Sequence, residues 1–145
     1  MYTTQDYGTL LLRVTLGVMF IAHGLLKVLV FTVPGTVQFF ESQGFPGVLA
    51  YLVIAAEIGG GALLVLGVYT RWAALALMPI LLGAFNVHWP NGWVFSTPNG
   101  GWEYPAFLAI ATIVQSLLGG GALALKEPAP ISRPKQARVL GSRLS

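Results

Sequence analysis

The sequence contains no cysteine and few charged residues, and both absences narrow the classes of protein that it can encode. Without cysteine there is no disulfide, thiolate metal site, iron–sulfur ligation or C-x-x-C redox pair. Charged residues make up 9% of the chain, whereas a soluble domain usually carries about a quarter. Eight Lys and Arg with five Asp and Glu are too few to coat a soluble surface. The composition therefore predicts a chain whose outer surface contacts lipid.

The sequence is rich in long apolar runs, and 55% of its 145 residues are hydrophobic. A membrane-spanning helix needs about 20 mainly apolar residues to cross a hydrocarbon core of roughly 30 Å. Four stretches fit this requirement, namely residues 8–30, 48–69, 72–88 and 104–125. The sequence predicts an all-α integral membrane protein, a four-transmembrane-helix bundle within residues 1–127. Pro79 in the short third stretch favours a tilt or kink there.

The basic residues predict the orientation of this bundle. Lys and Arg are concentrated on the cytoplasmic side of multi-pass proteins. With both termini in the cytoplasm, every basic residue except Lys27 lies on or near that side, namely Arg13, Arg71, Lys126, Arg133, Lys135, Arg138 and Arg143. We therefore expect an N-in/C-in protein of the plasma membrane. Residues 128–145, rich in Pro, Ser and Arg, are predicted to form a disordered, basic cytoplasmic tail that contacts lipid headgroups; binding of nucleic acid is not expected.

Two long connections fall on the outer side. Residues 31–47 are predicted to include a short helix lying in the membrane interface. Residues 89–103 contain two Pro-Asn-Gly turns and three tryptophans, Trp89, Trp93 and Trp102. An aromatic belt that anchors the outer face is the favoured interpretation of these tryptophans, and stacking on a ligand is the alternative.

A short sequence similarity suggests that the bundle consists of two related helical hairpins. Gly59–Gly61 and Gly119–Gly121 are each followed by Ala-Leu. Small residues let neighbouring helices approach closely in lipid, so both glycine runs are predicted to be helix contacts. Thr70–Arg71 is predicted to be the tight turn between the second and third helices.

Glu57 is the clearest candidate for a functional residue, because it lies near the middle of the second span. An ionisable side chain inside a membrane is costly and by default suggests a function. Glu57 is too short to reach the interface and has no charged neighbour in its own helix. It must be protonated, paired or facing water, and a purely structural hydrogen-bonded role is the alternative.

The first span supplies potential partners for Glu57. At about 100° per residue, Arg13, His23 and Lys27 fall within an arc of roughly 80°. By helical rise, His23 lies within roughly 5 Å of Glu57 in depth, and Arg13 lies about 10 Å closer to the cytoplasm. The preferred predicted pair is His23–Glu57 and the second is Arg13–Glu57. Arg13 and Lys27 are also able to extend toward the two membrane surfaces.

The third span adds Asn86 and His88 to the candidate polar site, at about the depth of Lys27. They lie on different faces of a helix, so only one of them is expected to point inward, and an interfacial role for His88 is the alternative. The sequence has no H-E-x-x-H or comparable spacing of metal ligands, so no metal site is predicted.

Several motifs in this order resemble the DoxX family of small bacterial membrane proteins. They are Leu12-Arg13 … Gly17 … Phe20 … His23-Gly24 … Lys27, Phe39-Phe40 … Gly44-Phe45-Pro46, and Glu57 … Gly60-Gly61 … Leu64 … Gly67 … Tyr69-Thr70-Arg71. The resemblance covers residues 8–125. It implies a four-helix protein of the bacterial inner membrane and a polar intramembrane site at Arg13, His23, Lys27 and Glu57.

The resemblance also implies a function, namely a subunit of a quinone-linked or oxidative-stress system with quinone as its ligand and no covalently bound cofactor. Electron transfer by this chain alone is not expected, because it lacks cysteine and any redox-cofactor motif. A subunit associated with an oxidoreductase is therefore favoured over a stand-alone enzyme. The alternatives are a membrane anchor for a soluble oxidoreductase on the cytoplasmic side, and a small proton-coupled transporter that would work as a homo-oligomer.

Overall fold

A computed structural model of the chain describes residues 1–127, and the prediction made for the tail at 128–145 lies outside the described residues. Within residues 1–127 all regular structure is helical and there is no strand, so the all-α prediction is confirmed. The helices are α1 (Thr4–Leu29), α2 (Val33–Ser42), α3 (Val48–Leu66), α4 (Thr70–His88) and α5 (Glu103–Leu118), with a 3-10 helix at Trp89–Asn91.

Three of these helices, α1, α3 and α4, are long and apolar enough to cross a membrane. The fourth, α5, is apolar but has only 16 residues, which corresponds to about 24 Å at the usual helical rise. The predicted fourth span at 104–125 was therefore too long. Its helix ends because Gly119 adopts φ +85° and Gly121 adopts φ +67°, and neither angle continues a right-handed helix.

The second glycine run approaches α1 closely, as predicted, because a Cβ added at Gly121 would lie 2.7 Å from the Asp6 carbonyl oxygen, but this run is not helical. Gly59–Gly61 lies inside α3, whereas Gly119–Gly121 follows the end of α5 and begins a non-helical segment. The two runs are similar in sequence but not in conformation. The idea of two related hairpins gains no support from them.

The first glycine run does bring two helices together, as predicted. The Cβ of an alanine at Gly61 would lie 2.7 Å from the carbonyl oxygen of Gly17, and one at Gly17 would lie 2.7 Å from that of Gly61. The α1 and α3 backbones therefore touch at this crossing, which only glycine allows. Leu16, Phe20 and Leu64 pack beside it with α4 residues such as Leu77 to form the core.

Non-helical residues 119–127 pack against the start of α1 and the α3–α4 turn, and we call this end of the bundle the terminal end. The Ala122 N–H donates to the Asp6 carbonyl at 3.0 Å, and the Tyr69 N–H donates to the Lys126 carbonyl at 2.8 Å. The α3–α4 turn is residues 67–69, and α4 already begins at Thr70. The prediction that Thr70–Arg71 forms this turn was wrong. The chain reverses direction just before those residues, where Gly67 adopts φ +69° and Tyr69 adopts φ +47°.

The opposite end, which we call the loop end, is covered by α2 and by residues 89–102. α2 packs against α3 and α1, and the Thr36 hydroxyl donates to the Lys27 carbonyl at 3.1 Å. In the second loop, Trp102 contacts Phe85, Trp89 and Trp93 at ring-centroid distances of 5.4, 5.0 and 4.5 Å. The tryptophans therefore pack on one another and fasten this loop to the end of α4.

Candidate functional site

A cavity of about 770 Å³ lies at the loop end of the bundle, between all five helices. Its wall is mainly apolar and includes a group of phenylalanines, namely Phe20, Phe31, Phe39, Phe40 and Phe45. Its polar residues are His23, Lys27, Thr36, Gln43, Glu57, His88 and Tyr104. An apolar pocket of several hundred cubic ångströms with a few convergent polar groups is typical of a small-molecule site.

The central polar feature of the cavity is an ion pair between Lys27 and Glu57. The Lys27 Nζ lies 2.8 Å from both Glu57 Oε1 and Oε2, and also 3.5 Å from the His23 carbonyl oxygen. Glu57 is buried, with 4% of its surface exposed, whereas the Lys27 side chain is 18% exposed. A buried charge requires a partner, and here the partner is supplied by the neighbouring helix.

The predicted pairing of Glu57 with His23, or failing that with Arg13, was therefore wrong. The depth of a backbone position does not by itself decide which side chains meet, because their length and direction also matter. Side chains on a helix lean toward its N-terminus, so Lys27 folds back over the preceding turn to reach Glu57. The shorter His23 instead bonds within its own helix.

His23 is held by two contacts. Its Nδ1 lies 2.7 Å from the Met19 carbonyl oxygen, one turn earlier in α1. Its ring stacks on that of Tyr104 in α5, with centroids 5.9 Å apart and planes inclined by 27°. These contacts fix the ring at the cavity wall between α1 and α5.

His88 lines the same cavity from the end of α4. Its Nδ1 lies 3.0 Å from the Asn99 carbonyl oxygen and 3.2 Å from that of Gly100, so the second loop holds the ring in place. Asn86 is exposed and does not line the cavity. Of these two predicted site residues, one faces inward, as their placement on different helix faces predicted.

Arg13 is remote from the cavity, although the sequence grouped it with the site. It is 1% exposed, lies at the terminal end, and its Nη2 donates to the Ala122 carbonyl at 3.3 Å. Sharing a helical stripe does not imply sharing a depth, and ten residues separate Arg13 from His23 by about 15 Å along the axis. Arg13 therefore fastens the 119–127 segment rather than forming part of the cavity.

Sequence reasoning missed the contribution of α2 and of Tyr104 to the cavity. The sequence placed Phe39 and Phe40 in a predicted interfacial helix and Tyr104 at the start of a predicted span, and neither prediction included them in the polar site. In the structure these aromatic side chains line the cavity. The available signal was the concentration of phenylalanine in a connection between two spans, since an interface helix alone does not require it.

The arrangement can bind a planar apolar ring and offer it a charged, hydrogen-bonding region. Lys27 and Glu57 supply the charges, and His23 and His88 supply imidazole nitrogens. No group of three or more His, Cys, Asp or Glu side chains within residues 1–127 is arranged to hold a metal ion.

Comparison of the sequence with known proteins identifies a family. The DoxX family model matches residues 8–89, more than half of the chain, from α1 to the start of the 3-10 helix. No solved structure matches the chain.

Two relatives are similar over this region. One is "Putative oxidoreductase CatD" of Bacillus subtilis strain 168, with 43% identity over 79 residues that make up 54% of this chain and 58% of the relative. The other is "Inner membrane protein YqjF" of Escherichia coli K12, with 38% identity over 85 residues that make up 58% of this chain and 64% of the relative. The matched region thus spans less than two thirds of each relative's length. On the family match, the chain belongs to the DoxX family.

Proposed function

We propose that the protein binds a quinone-class ring in the loop-end cavity and acts as a membrane subunit of an oxidoreductase system. The observation that carries this proposal is the apolar cavity of about 770 Å³ with a buried Lys27–Glu57 pair in its wall. A quinone matches this combination of an apolar wall and a polar pair, because its ring and tail are apolar and its two oxygens are polar. The oxidoreductase name of CatD supports the same class of function.

In this proposal the apolar and the polar residues of the cavity contact different parts of the quinone. The phenylalanines of α2 and the following loop pack against the ring and exclude water from it. Lys27 supplies a positive charge near the ring oxygens, and the Glu57 carboxylate and the His23 Nε2 are positions at which a proton can be held. Electrons come from a partner protein in this proposal.

We further propose that α5 is a fourth span and that both termini are cytoplasmic, in a bacterial inner membrane. α5 runs beside α4 from the loop end to the terminal end, where the Arg71 Nη1 donates to the Ser116 carbonyl at 3.4 Å. Arg71 and Lys126 belong to the terminal end, which suits a cytoplasmic location. The name of YqjF, an inner membrane protein, agrees with this location.

The absence of cysteine makes the orientation simple to test, because each introduced cysteine is the only thiol. Exposed residues are available at both ends, namely Gln5 and Lys126 at the terminal end and Ser42 and Ser96 at the loop end. In intact cells a membrane-impermeant maleimide should label Ser42→Cys and Ser96→Cys but neither Gln5→Cys nor Lys126→Cys. Labelling of Gln5→Cys and Lys126→Cys alone would reverse the proposed orientation, and labelling of Lys126→Cys together with Ser42→Cys and Ser96→Cys would show that α5 does not cross the membrane.

Quinone binding is tested by filling the cavity without touching its charges. A Cβ added at Gly83 meets nothing within 4 Å, and Gly83 lines the cavity. A Cβ added at Gly59 also meets nothing within 4 Å, but Gly59 is exposed on the outside of α3 and does not line the cavity. Gly83→Phe should therefore abolish binding of a short-chain benzoquinone to the purified protein, whereas Gly59→Phe should bind as the wild type does.

A second experiment identifies the native ligand. The protein purified in a mild detergent should carry quinone detectable by mass spectrometry, and Glu57→Gln should carry less of it than Glu41→Gln, which alters an exposed glutamate of α2. Equal retention by both variants would remove the ion pair from the proposal. Absence of quinone from the native protein, together with equal benzoquinone binding by Gly83→Phe and Gly59→Phe, would overturn the proposal itself.

A further inference from the structure

Some hydrogen-bonding groups of the cavity already have partners within the protein, and others do not. A ligand can bond only to donors and acceptors that remain open, so the direction of each existing hydrogen bond decides what chemistry the cavity selects. Five polar residues of the cavity wall are buried or half-buried, namely His23, Lys27, Thr36, Glu57 and His88.

The two histidines have the same tautomer when they are neutral. A carbonyl oxygen has no hydrogen to give, so the Nδ1 of His23, at 2.7 Å from the Met19 oxygen, must donate. The Nδ1 of His88 must likewise donate to the Asn99 and Gly100 oxygens. In a neutral imidazole one nitrogen donates and the other accepts. Each Nε2 is therefore an acceptor, and neither forms a hydrogen bond to any residue within 1–127.

The donors of the other buried polar groups are already committed. The three hydrogens of the Lys27 ammonium are directed at the two Glu57 oxygens and, more weakly at 3.5 Å, at the His23 carbonyl. The Thr36 hydroxyl donates to backbone carbonyls of Lys27 and Thr32. The Thr36 oxygen and the Glu57 carboxylate keep lone pairs that can accept. The remaining side-chain donors also have partners within the chain: the Tyr104 hydroxyl is directed at the Met19 Sδ at 4.0 Å and the Gln43 amide at the Ser42 hydroxyl at 3.4 Å.

From this inventory we infer that the cavity selects the reduced, hydroxyl-bearing form of an aromatic ring over its quinone form. A hydroquinone carries two O–H donors that can bond to the two histidine Nε2 atoms. The carbonyl oxygens of a quinone only accept, so they would face acceptors and leave the nitrogens unpaired. This inference rests on the proposed function, since it specifies the ligand of the same cavity.

The test compares three probes that share a tetramethyl-substituted six-membered ring by anaerobic isothermal titration of the detergent-purified full chain. They are durohydroquinone, duroquinone and the dimethyl ether of durohydroquinone. The wild type should bind durohydroquinone roughly tenfold more tightly than duroquinone, which corresponds to one net hydrogen bond. The dimethyl ether, which cannot donate, should bind no better than duroquinone.

The double variant His23→Phe/His88→Phe assigns the preference to its residues. Phenylalanine keeps an aromatic ring at both positions, including the one that stacks on Tyr104, and removes both Nε2 acceptors. The variant should bind the two oxidation states within about twofold of each other. If the variant does not fold, the three-probe series on the wild type decides alone.

The outcomes separate the inference from the proposal beneath it. Equal or tighter binding of duroquinone by the wild type would overturn the inference and leave quinone binding intact. A tenfold preference that persists in the double variant would likewise overturn the assignment to the histidines. Failure of the wild type to bind any probe more tightly than Gly83→Phe does would overturn the proposed function, and the inference with it.

Discussion

Alanine at Gly61 should destabilise the protein through a single helix crossing. The added Cβ would lie 2.7 Å from the Gly17 carbonyl oxygen and 3.0 Å from the Ile21 backbone nitrogen. Both are backbone atoms of α1, which cannot rotate away as a side chain would. To reach an ordinary contact distance of about 3.4 Å, α1 and α3 must separate locally by about 0.7 Å.

The size of the effect follows from two opposed terms. Overpacking of this kind costs about 1–3 kcal/mol of unfolding free energy. Alanine is the better helix former, which returns about 0.5–1 kcal/mol. Gly59, two residues earlier in α3, provides the matched control, since its added Cβ meets nothing within 4 Å. The helix-forming term is shared, so the difference between Gly61→Ala and Gly59→Ala measures the crossing alone, at about 1–3 kcal/mol.

The assay is unfolding of the two variants and the wild type in the same detergent, followed by tryptophan fluorescence. We expect Gly59→Ala to be at least as stable as the wild type and Gly61→Ala to be less stable. Equal stabilities for the two variants would refute the close backbone contact between α1 and α3, and with it the geometry that brings Lys27 to Glu57.

Three further changes test other contacts by the same unfolding measurement. Lys27→Met should cost about 3 kcal/mol, because it leaves the Glu57 carboxylate buried without its partner. Gly67→Ala should cost about 2–4 kcal/mol, because φ is +69° there and the new Cβ would collide with Arg13 and lie 2.6 Å from the Ala124 Cα. Trp102→Ala should cost about 2–3 kcal/mol through loss of its three aromatic contacts.

Each of these changes has its own control. Lys27→Met combined with Glu57→Leu should recover most of the loss, and a loss that adds instead would argue against the ion pair. Gly44→Ala shares the positive φ, at +83°, but meets nothing within 4 Å, so it should cost about 1–2 kcal/mol and leave the 119–127 segment in place. Trp72→Ala removes a tryptophan that is 65% exposed, so a loss equal to that of Trp102→Ala would contradict the packing role of the cluster.

Much of the fold could be predicted because its causes are local. The apolar runs at 8–30, 48–69 and 72–88 correspond to α1, α3 and α4 within a few residues, since helix length in lipid follows from composition. The end of α5 could not be predicted in the same way. Gly119–Gly121 is compatible with a helix and with a turn, and the contacts of residues 119–127 with Asp6 and Gly67 select the turn.

The candidate site was predicted only in part, for a related reason. Helical spacing correctly grouped His23 and Lys27 on one face of α1 and indicated that Glu57 required a partner. It could not choose between them, because the choice depends on side-chain length and on the crossing of α1 and α3 at Gly17 and Gly61. It also joined Arg13 to a site at the other end of the bundle.

The sequence by itself determined that this chain is helical and apolar, that it lacks thiol chemistry, and that it carries a costly carboxylate in the middle of a helix. These properties follow from composition and from contacts within a few residues. The tertiary structure decided that Lys27 neutralises this carboxylate, that α2 and Tyr104 help to enclose the cavity, and that Arg13 fastens the terminal end. Those outcomes depend on atoms brought together from distant parts of the chain, and close packing between helices determines which of them meet.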